Sequence, residues 1–396
     1  MTEPRPIIYL DHNATTPVDP RVLAAMLPYF SEVYGNAASI DHEAGHVANQ
    51  AVERAREQCA RAIGARPEEI VFTSGATESD NIALFGVAER YAAKGDHIIT
   101  CVTEHKAVLD CCQRLEQLGK RVTYLPVDQY GLVDLEAVRK AITPRTVLIS
   151  IMFANNEIGT IAPVKEIAAI AHEHSVLFHT DAAQAVGHVP VEVEAMQIDL
   201  LSFSAHKLYG PKGIGGLYVR RRGPRVKVAP VIYGGGHERG MRSGTLNVPG
   251  IVGMGMALEL ATKEMAAEAR RYRAWTSQIY ERLQAELGTQ NVALNGHPSQ
   301  RLPHNLNVSL AGIESKSLVV QLKGIAISTG SACTSATVEP SHVILALGYG
   351  EQRAHSAIRL GVGRGNTHVE IDTACATIVA GVRRIQKLSA TQPAIG

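Results

Sequence analysis

Five short polar clusters punctuate the first half of the chain: Ser74-Gly75-Ala76-Thr77-Glu78-Ser79, Thr103-Glu104-His105-Lys106, Asn155-Asn156-Glu157, Thr180-Asp181-Ala182-Ala183-Gln184 and Ser202-Phe203-Ser204-Ala205-His206-Lys207. The first is a small-residue turn ahead of a helical pattern, where free N–H groups and the helix dipole suit a phosphate, although the same residues also read as an ordinary helix start. His105 offers a flat, titratable ring, Asp181 a carboxylate, and Lys207 an amine that becomes nucleophilic once its pKa is lowered. A sixth candidate, His42-Glu43-Ala44-Gly45-His46, matches H-E-x-x-H, which on a helix would present two zinc ligands and a glutamate base. Gly45 weakens that helix, and Asn49 and Val52 stand where the longer zinc motif needs glycine and histidine, so the match reads as accidental. Gly210-Pro211-Lys212-Gly213-Ile214-Gly215-Gly216 leads into a strand-like run and not a helix, which argues against a nucleotide loop, and His172-x-His174 reads as a solvated helix end.

Stepping through the elements that must carry these clusters, apolar β-branched runs at 69–73, 97–101, 121–125, 146–151, 176–180 and 200–203 alternate with helical patterns. That alternation predicts an α/β fold, a mainly parallel sheet with helices on both faces. Gly64, Gly95 and Gly119 mark helix ends, and Asp19-Pro20 reads as an N-cap followed by proline at the first helical position. Ligands in such sheets collect outside the carboxyl ends of the strands, where most of the clusters fall. A phosphate turn, an imidazole, a carboxylate and a lysine on one sheet edge are together what pyridoxal phosphate requires: a partner for its pyridine nitrogen, a ring to stack on its own, and an amine to form a Schiff base. From 246 to 287 the pattern is one long helical stretch, expected to break near Gly250, Gly253 and Gly255. Strand-like runs at 305–310, 325–328 and 357–362 then suggest a smaller α+β lobe joined by the N-terminal segment.

The 396 residues are 45% hydrophobic and 19% charged, enough apolar surface for a full core, and the formal charge of +1 lacks the one-signed field of a dedicated polyanion binder. Nucleic acid and membrane are therefore not expected as partners, and a polar, proline-rich start at Met1 to Pro6 points to a cytoplasmic protein. Cys59, Cys101, Cys111, Cys112, Cys333 and Cys375 show no disulfide or zinc-ribbon spacing, and no metal is expected. Cys59, Cys111 and Cys375 fit helical core positions, whereas small polar neighbours surround Cys333, the setting of an exposed, reactive thiol.

Over nearly its whole length the chain resembles the pyridoxal-phosphate-dependent cysteine desulfurases of the NifS/IscS type, in the class V aminotransferase superfamily. The resemblance rests on 9–16 (YLDHNATT), 73–81 (TSGATESDN), 103–108 (TEHKAV), 155–159 (NNEIG), 202–213 (SFSAHKLYGPKG), 234–246 (GGGHERGMRSGTL) and 330–336 (GSACTSA). It implies fold type I: a large domain with a seven-stranded, mainly parallel sheet at 16–262, and a small domain of 1–15 and 263–396 carrying the cysteine loop. By position, Lys207 resembles the Schiff-base lysine, His105 the ring-stacking acid/base, Asp181 the pyridinium partner and Gln184 a contact to the phenolic oxygen. Ala76, Thr77, Ser204 and His206 resemble phosphate ligands, and Thr245 the threonine that reaches the neighbouring subunit's phosphate, which implies a homodimer. Asn156, also counted among the cofactor contacts, and Arg359 resemble the residues that receive the substrate carboxylate, with Asn36 assisting; Cys333 resembles the sulfur-accepting nucleophile, in the form typical of group I enzymes.

The implied reaction converts L-cysteine to L-alanine and leaves a persulfide on Cys333, which a sulfur-acceptor protein would draw on for iron–sulfur cluster assembly or for thio-modification of tRNA or DNA. Alternatives are a selenocysteine lyase or another pyridoxal-phosphate lyase, a sulfur carrier without catalysis, and, through His42 and His46, a zinc peptidase. Ala37, Ala205 and Leu360 depart from the residues usual in the family at those places, and 387–396 shows no recognisable scaffold-docking tail.

Overall fold

The computed structural model describes residues 7–329 and 340–390; Cys333 falls outside the described residues. The central sheet has seven strands: β1 Ile70–Thr73, β2 His97–Cys101, β3 Arg121–Leu125, β4 Thr146–Ser150, β5 Leu177–Asp181, β6 Leu200–Ser204 and β7 Gly215–Val219. Their order is β1-β7-β6-β5-β4-β2-β3; β7 runs antiparallel to both neighbours and the remaining pairings are parallel. Every residue of β2, β4, β5 and β6 is buried, which explains their reading as continuous apolar runs without alternation. Along each strand the side chains divide between two cores. Phe72, Ile99, Ile149, Phe178, Leu201 and Phe203 face one, packed against helices α1 (Glu43–Ala62) and α4 (Val248–Leu287). Val71, Ile98, Leu148, Leu177, Leu200 and Leu217 face the other, packed against α2 (Ala76–Arg90) and α3 (Lys106–Gln117). At about 1.5–3 kcal/mol per fully buried side chain of this kind, these two layers dominate the stability of the region.

The expected break near Gly250 to Gly255 does not occur: α4 is continuous over 40 residues. Its glycines serve close approach. A Cβ at Gly253 would lie 2.5 Å from Met26 Sδ, and one at Gly255 would lie 2.8 Å from Ala55 Cα, so these positions let α4 press against its neighbours at a helix-propensity cost of about 1 kcal/mol each. The first half of α4 belongs to the sheet's core, while Tyr272, Trp275, Ile279 and Leu283 belong to a separate one. That second core lies against a four-stranded antiparallel sheet of β8 (Val292–Leu294), β9 (Asn305–Leu310), β10 (Ser328–Thr329) and β11 (Ala357–Gly361), in the order β10-β11-β9-β8. Ile8–Tyr9 pairs in parallel with Ile325–Ala326, so the N-terminal segment does join this lobe.

Three further expectations are settled by local geometry. His42 is not on a helix face: it is the extended N-cap of α1, its Nδ1 accepting from the Gly45 N–H, and among the described residues there is no metal-holding cluster. His172 is no solvated end, for its Nε2 lies 2.8 Å from Oδ2 of the buried Asp199. Cys59, Cys111 and Cys375 are buried, and burial pushes their thiols up to about 12, about 12 and about 11. No helix among the described residues is long and apolar enough to cross a membrane.

Loop 234–246 is fastened by a buried ion pair. Glu238 accepts from both terminal nitrogens of Arg56 at 2.8 Å and from the Phe72 N–H at 2.8 Å, and both side chains are almost fully buried. Glu238→Ala should destabilise the fold by about 3–5 kcal/mol, since it leaves the Arg56 charge buried without a partner. Urea unfolding at neutral pH measures that difference, and a loss under ~1 kcal/mol would show that water reaches Arg56.

Candidate active site

A cavity of about 500 Å³ opens at the carboxyl ends of the sheet strands. Its walls include Ala76 and Thr77 from the start of α2, His105 before α3, Asn156 after β4, Asp181 ending β5, Gln184, then Ser204, His206 and Lys207 at the end of β6, and Arg359 from β11. Ten of the residues singled out from the sequence are thus brought together around one space. Thr245 and Asn36 are not: both are exposed and neither lines the cavity, Asn36 instead accepting from the Ala38 N–H.

Each wall residue has a physical reason for its placement. Helix α2 begins at Gly75 without a side-chain cap, so its first N–H groups face the cavity unclaimed by a cap. β7 passes beneath this turn, and a Cβ at Gly215 would lie 2.6 Å from Gly75 Cα, so glycine alone fits there. His105 is the N-cap of α3, where Nδ1 accepts from the Ala107 N–H at 3.1 Å. Asp181 is buried and takes one hydrogen bond from the Ala183 N–H; burial pushes its carboxyl upward, and the charges of His105 and Lys207 pull it back. Lys207 sits on a single 3₁₀ turn and donates from Nζ to the carbonyls of Asn13 at 2.8 Å and Ala14 at 2.7 Å. Gln184 is held through Asn13 as well, donating to its carbonyl and accepting from its amide.

The N-terminal segment is what the sequence reading missed. Asn13 and Thr15 line the cavity, Thr15 Oγ1 lies 3.1 Å from His206 Nδ1, and Thr16 bonds the His206 carbonyl. The signal was present in 9–16 but carried no assigned role, because backbone carbonyls leave no mark on residue type. Asp80, Lys212 and Gly213 also line the cavity; Asp80 lies deep in it beside His179, which is held by the hydroxyls of Ser150 and Ser202.

These groups fit pyridoxal phosphate. An uncapped helix start accepts a dianionic phosphate, a cation set against Asp181 would offset the burial that now raises it, and the Lys207 amine lies in the same cavity.

The family model for class V aminotransferases matches residues 8–373. Cysteine desulfurase IscS of Anaeromyxobacter dehalogenans is 54% identical over 382 residues, covering 96% of this chain and 94% of the relative. Among solved structures, a NifS-like protein superposes with a TM-score of 0.87 at 39% identity, covering 98% of this chain and 100% of that one. SspA in complex with cysteine gives 0.80 at 38% identity, with 90% and 98% covered. The chain belongs to the class V aminotransferase family, and the two-lobed α/β architecture is that of fold type I.

Burial holds His12 and His206 down to about 4 and His179 to about 3. Because these folded values lie below the ordinary 6.5, the unfolded chain takes up protons that the fold refuses. The stability that these histidines contribute should therefore fall as pH drops from about 6.5 toward 4 and stay constant above 7, while the buried Glu104 and Glu157, raised to about 8 and about 7, act in the opposite sense. Titration of the histidine rings by NMR tests this: His179 should stay neutral down to about pH 4.5, and its protonation near pH 6.5 would refute it.

Proposed function

We propose that the protein is a pyridoxal-phosphate-dependent cysteine desulfurase that converts L-cysteine to L-alanine and collects the sulfur on Cys333. The observation that carries the reading is the meeting of Lys207, Asp181, His105 and the uncapped start of α2 in one cavity with the buried Arg359 at its wall. The relatedness to cysteine desulfurase IscS supports it.

When bound, pyridoxal phosphate supplies an electron-withdrawing ring that labilises bonds at the amino acid's Cα. The chain's own groups do the rest. The N–H groups of Ala76 and Thr77, with Ser204 and His206, would hold the cofactor's phosphate, Asp181 would serve its ring nitrogen, His105 its ring and Gln184 its phenolic oxygen, all of them lining the one cavity. Lys207 would be the cofactor's attachment point, and its amine, held in the cavity, is placed to take the Cα proton. With Nδ1 of His105 engaged by Ala107, proton exchange falls to its Nε2. Arg359 and Asn156 receive the substrate carboxylate, for which a planar guanidinium is suited. The Cys333 thiolate attacks the substrate sulfur: an S–S bond forms, the Cβ–S bond breaks with its electron pair left on the carbon side, Cβ takes up one proton, and return of a proton to Cα from Lys207 completes L-alanine.

The proposed division of labour gives residues 16–262 the cofactor and residues 1–15 and 263–396 the Cys333 segment, and the two separate apolar cores support it. We further propose a cytoplasmic homodimer in which Thr245 completes the partner's phosphate site. Thr245 is exposed, away from its own cavity, on a loop fixed by Glu238 and by the Arg242–Glu78 bridge at 2.8 Å. Mixing inactive Lys207→Ala and Thr245→Ala subunits should restore part of the activity, as the hybrid holds one intact site. An active monomer in sedimentation would contradict this. The function itself is tested by L-cysteine-dependent formation of alanine and protein persulfide, and failure of both in the cofactor-loaded protein would overturn it.

A further inference from the structure

Arg359 is nearly fully buried on β11, with the apolar Ile358 and Leu360 on either side of it in the strand belonging to the small-lobe core. A guanidinium carries five N–H donors. Here one terminal nitrogen donates to the Asn156 carbonyl at 3.0 Å, and the other to Asp11 Oδ1 at 2.9 Å. The Nε–H is buried and has no partner among the described residues, a deficit that costs about 1–3 kcal/mol unless an acceptor arrives. Asp11 itself is fixed from two sides. Its backbone bridges to Gly361, two residues along from Arg359, and its Oδ2 accepts from the Ser328 hydroxyl at 3.1 Å. Ser328 is the cross-strand partner of Arg359 between β10 and β11, so strand pairing holds the serine, the carboxylate and the guanidinium in one register.

We propose that Asp11 is the positioning residue for Arg359: anchored by Ser328 and the Gly361 bridge, it takes one edge of the guanidinium and turns the remaining donors, including Nε, toward the incoming carboxylate of the amino acid. Three consequences follow from the geometry. The aim is set before substrate arrives, so less side-chain entropy is lost on binding. Asp11 also keeps the buried guanidinium paired with a carboxylate while the site is empty, so Arg359 is not an uncompensated buried charge before the substrate arrives. The effect resides in amino-acid binding and not in the chemistry at sulfur, because Asp11 reaches the substrate only through Arg359.

This inference rests on the assignment of Arg359 to the substrate carboxylate, and the test separates the two. Asp11→Ala should raise KM for L-cysteine about tenfold, the loss of one charge-assisted contact, with kcat changed less than about twofold. Asp11→Asn keeps an acceptor toward Arg359 and should recover most of that loss. Calorimetry with L-alanine, which carries the same carboxylate and no thiol, should follow the same order, and melting temperatures identify any variant that is merely unfolded. An Asp11→Ala protein that is folded and retains its KM overturns the proposal, as does a fall in kcat without a change in KM. The reading beneath it is checked by Arg359→Gln: if that variant also keeps wild-type KM and L-alanine affinity, Arg359 does not receive the carboxylate, whereas a large rise in KM for Arg359→Gln together with an unchanged Asp11→Ala removes only the role of Asp11.

Discussion

Lys207→Ala is expected to lower cysteine-dependent alanine formation by about 10³–10⁴-fold, the scale of losing a positioned base, with the loss of covalent attachment adding to it. Lys207 is placed for both tasks. It follows β6 on a 3₁₀ turn, and its Nζ is held over the cavity by the carbonyls of Asn13 and Ala14, two acceptors that fix the amine without adding a carboxylate. The carboxylate in the cavity that faces it, Asp181, also interacts with His105. Reduction of the loaded wild-type protein with borohydride should leave the cofactor's mass on the peptide containing Lys207, and the variant should lose that adduct while still binding pyridoxal phosphate through its phosphate contacts. Full turnover or an adduct on another lysine would place the attachment elsewhere.

The sheet was legible because burial on both faces writes itself as apolar runs: Thr146–Ser150 and Leu200–Ser204 have no exposed residue to interrupt them. The cavity was legible for a related reason. A chain that leaves a buried strand must supply polar side chains at once, and His105, Asp181 and Lys207 stand at those points. Where sequence reasoning stopped, the cause was geometry without a residue signature. Gly253 and Gly255 look like helix breakers, yet they mark contact with Met26 and Ala55, since propensity yields when a tight interface compensates. Asn13 and Ala14 hold Lys207 through carbonyls that any residue would own. His172 reads as a surface residue because Asp199, its partner, is distant in sequence. The roles of the cavity residues came from resemblance to a family and not from periodicity, and resemblance could not say that Asn36 lies outside the cavity.

Two buried carboxyls beneath the cavity bear on how the site is charged. Burial lifts Glu104 to about 8, with the Met152 N–H opposing, and lifts Asp80 well above the ordinary carboxylate range, with Asp181 adding to the rise. Burial raises all three carboxyls, and of the three only Asp181 has the charges of His105 and Lys207 opposing that rise. The carboxyl proposed to meet a ring cation is thus the one whose charged form its neighbours favour.

Cys333→Ser should separate sulfur transfer from everything that precedes it. Cys333 lies outside the described residues, and its assignment rests on small polar neighbours and on the match of 330–336. The described residues flanking it are Thr329 at the end of β10, where Ser328 pairs with Arg359, and Pro340 next to Ser341, whose hydroxyl bonds Glu157 beside Asn156. Both flanking points therefore lie on the Arg359 and Asn156 side of the cavity. The variant should bind pyridoxal phosphate and L-cysteine as the wild type does, seen as an unchanged cofactor content and a spectral change on adding L-cysteine. Persulfide and alanine formation should fall by about 10²-fold or more, because a serine hydroxyl stays protonated at neutral pH and is a poor nucleophile toward sulfur. The buried cysteines cannot stand in: burial keeps Cys59, Cys111 and Cys375 protonated and out of contact with the cavity. Selenocysteine is the control, since its selenium leaves more readily and turnover of it by the variant would show that the cofactor chemistry is intact. Near wild-type alanine production from L-cysteine, with the persulfide mapped to another cysteine, would assign the nucleophile to that residue instead.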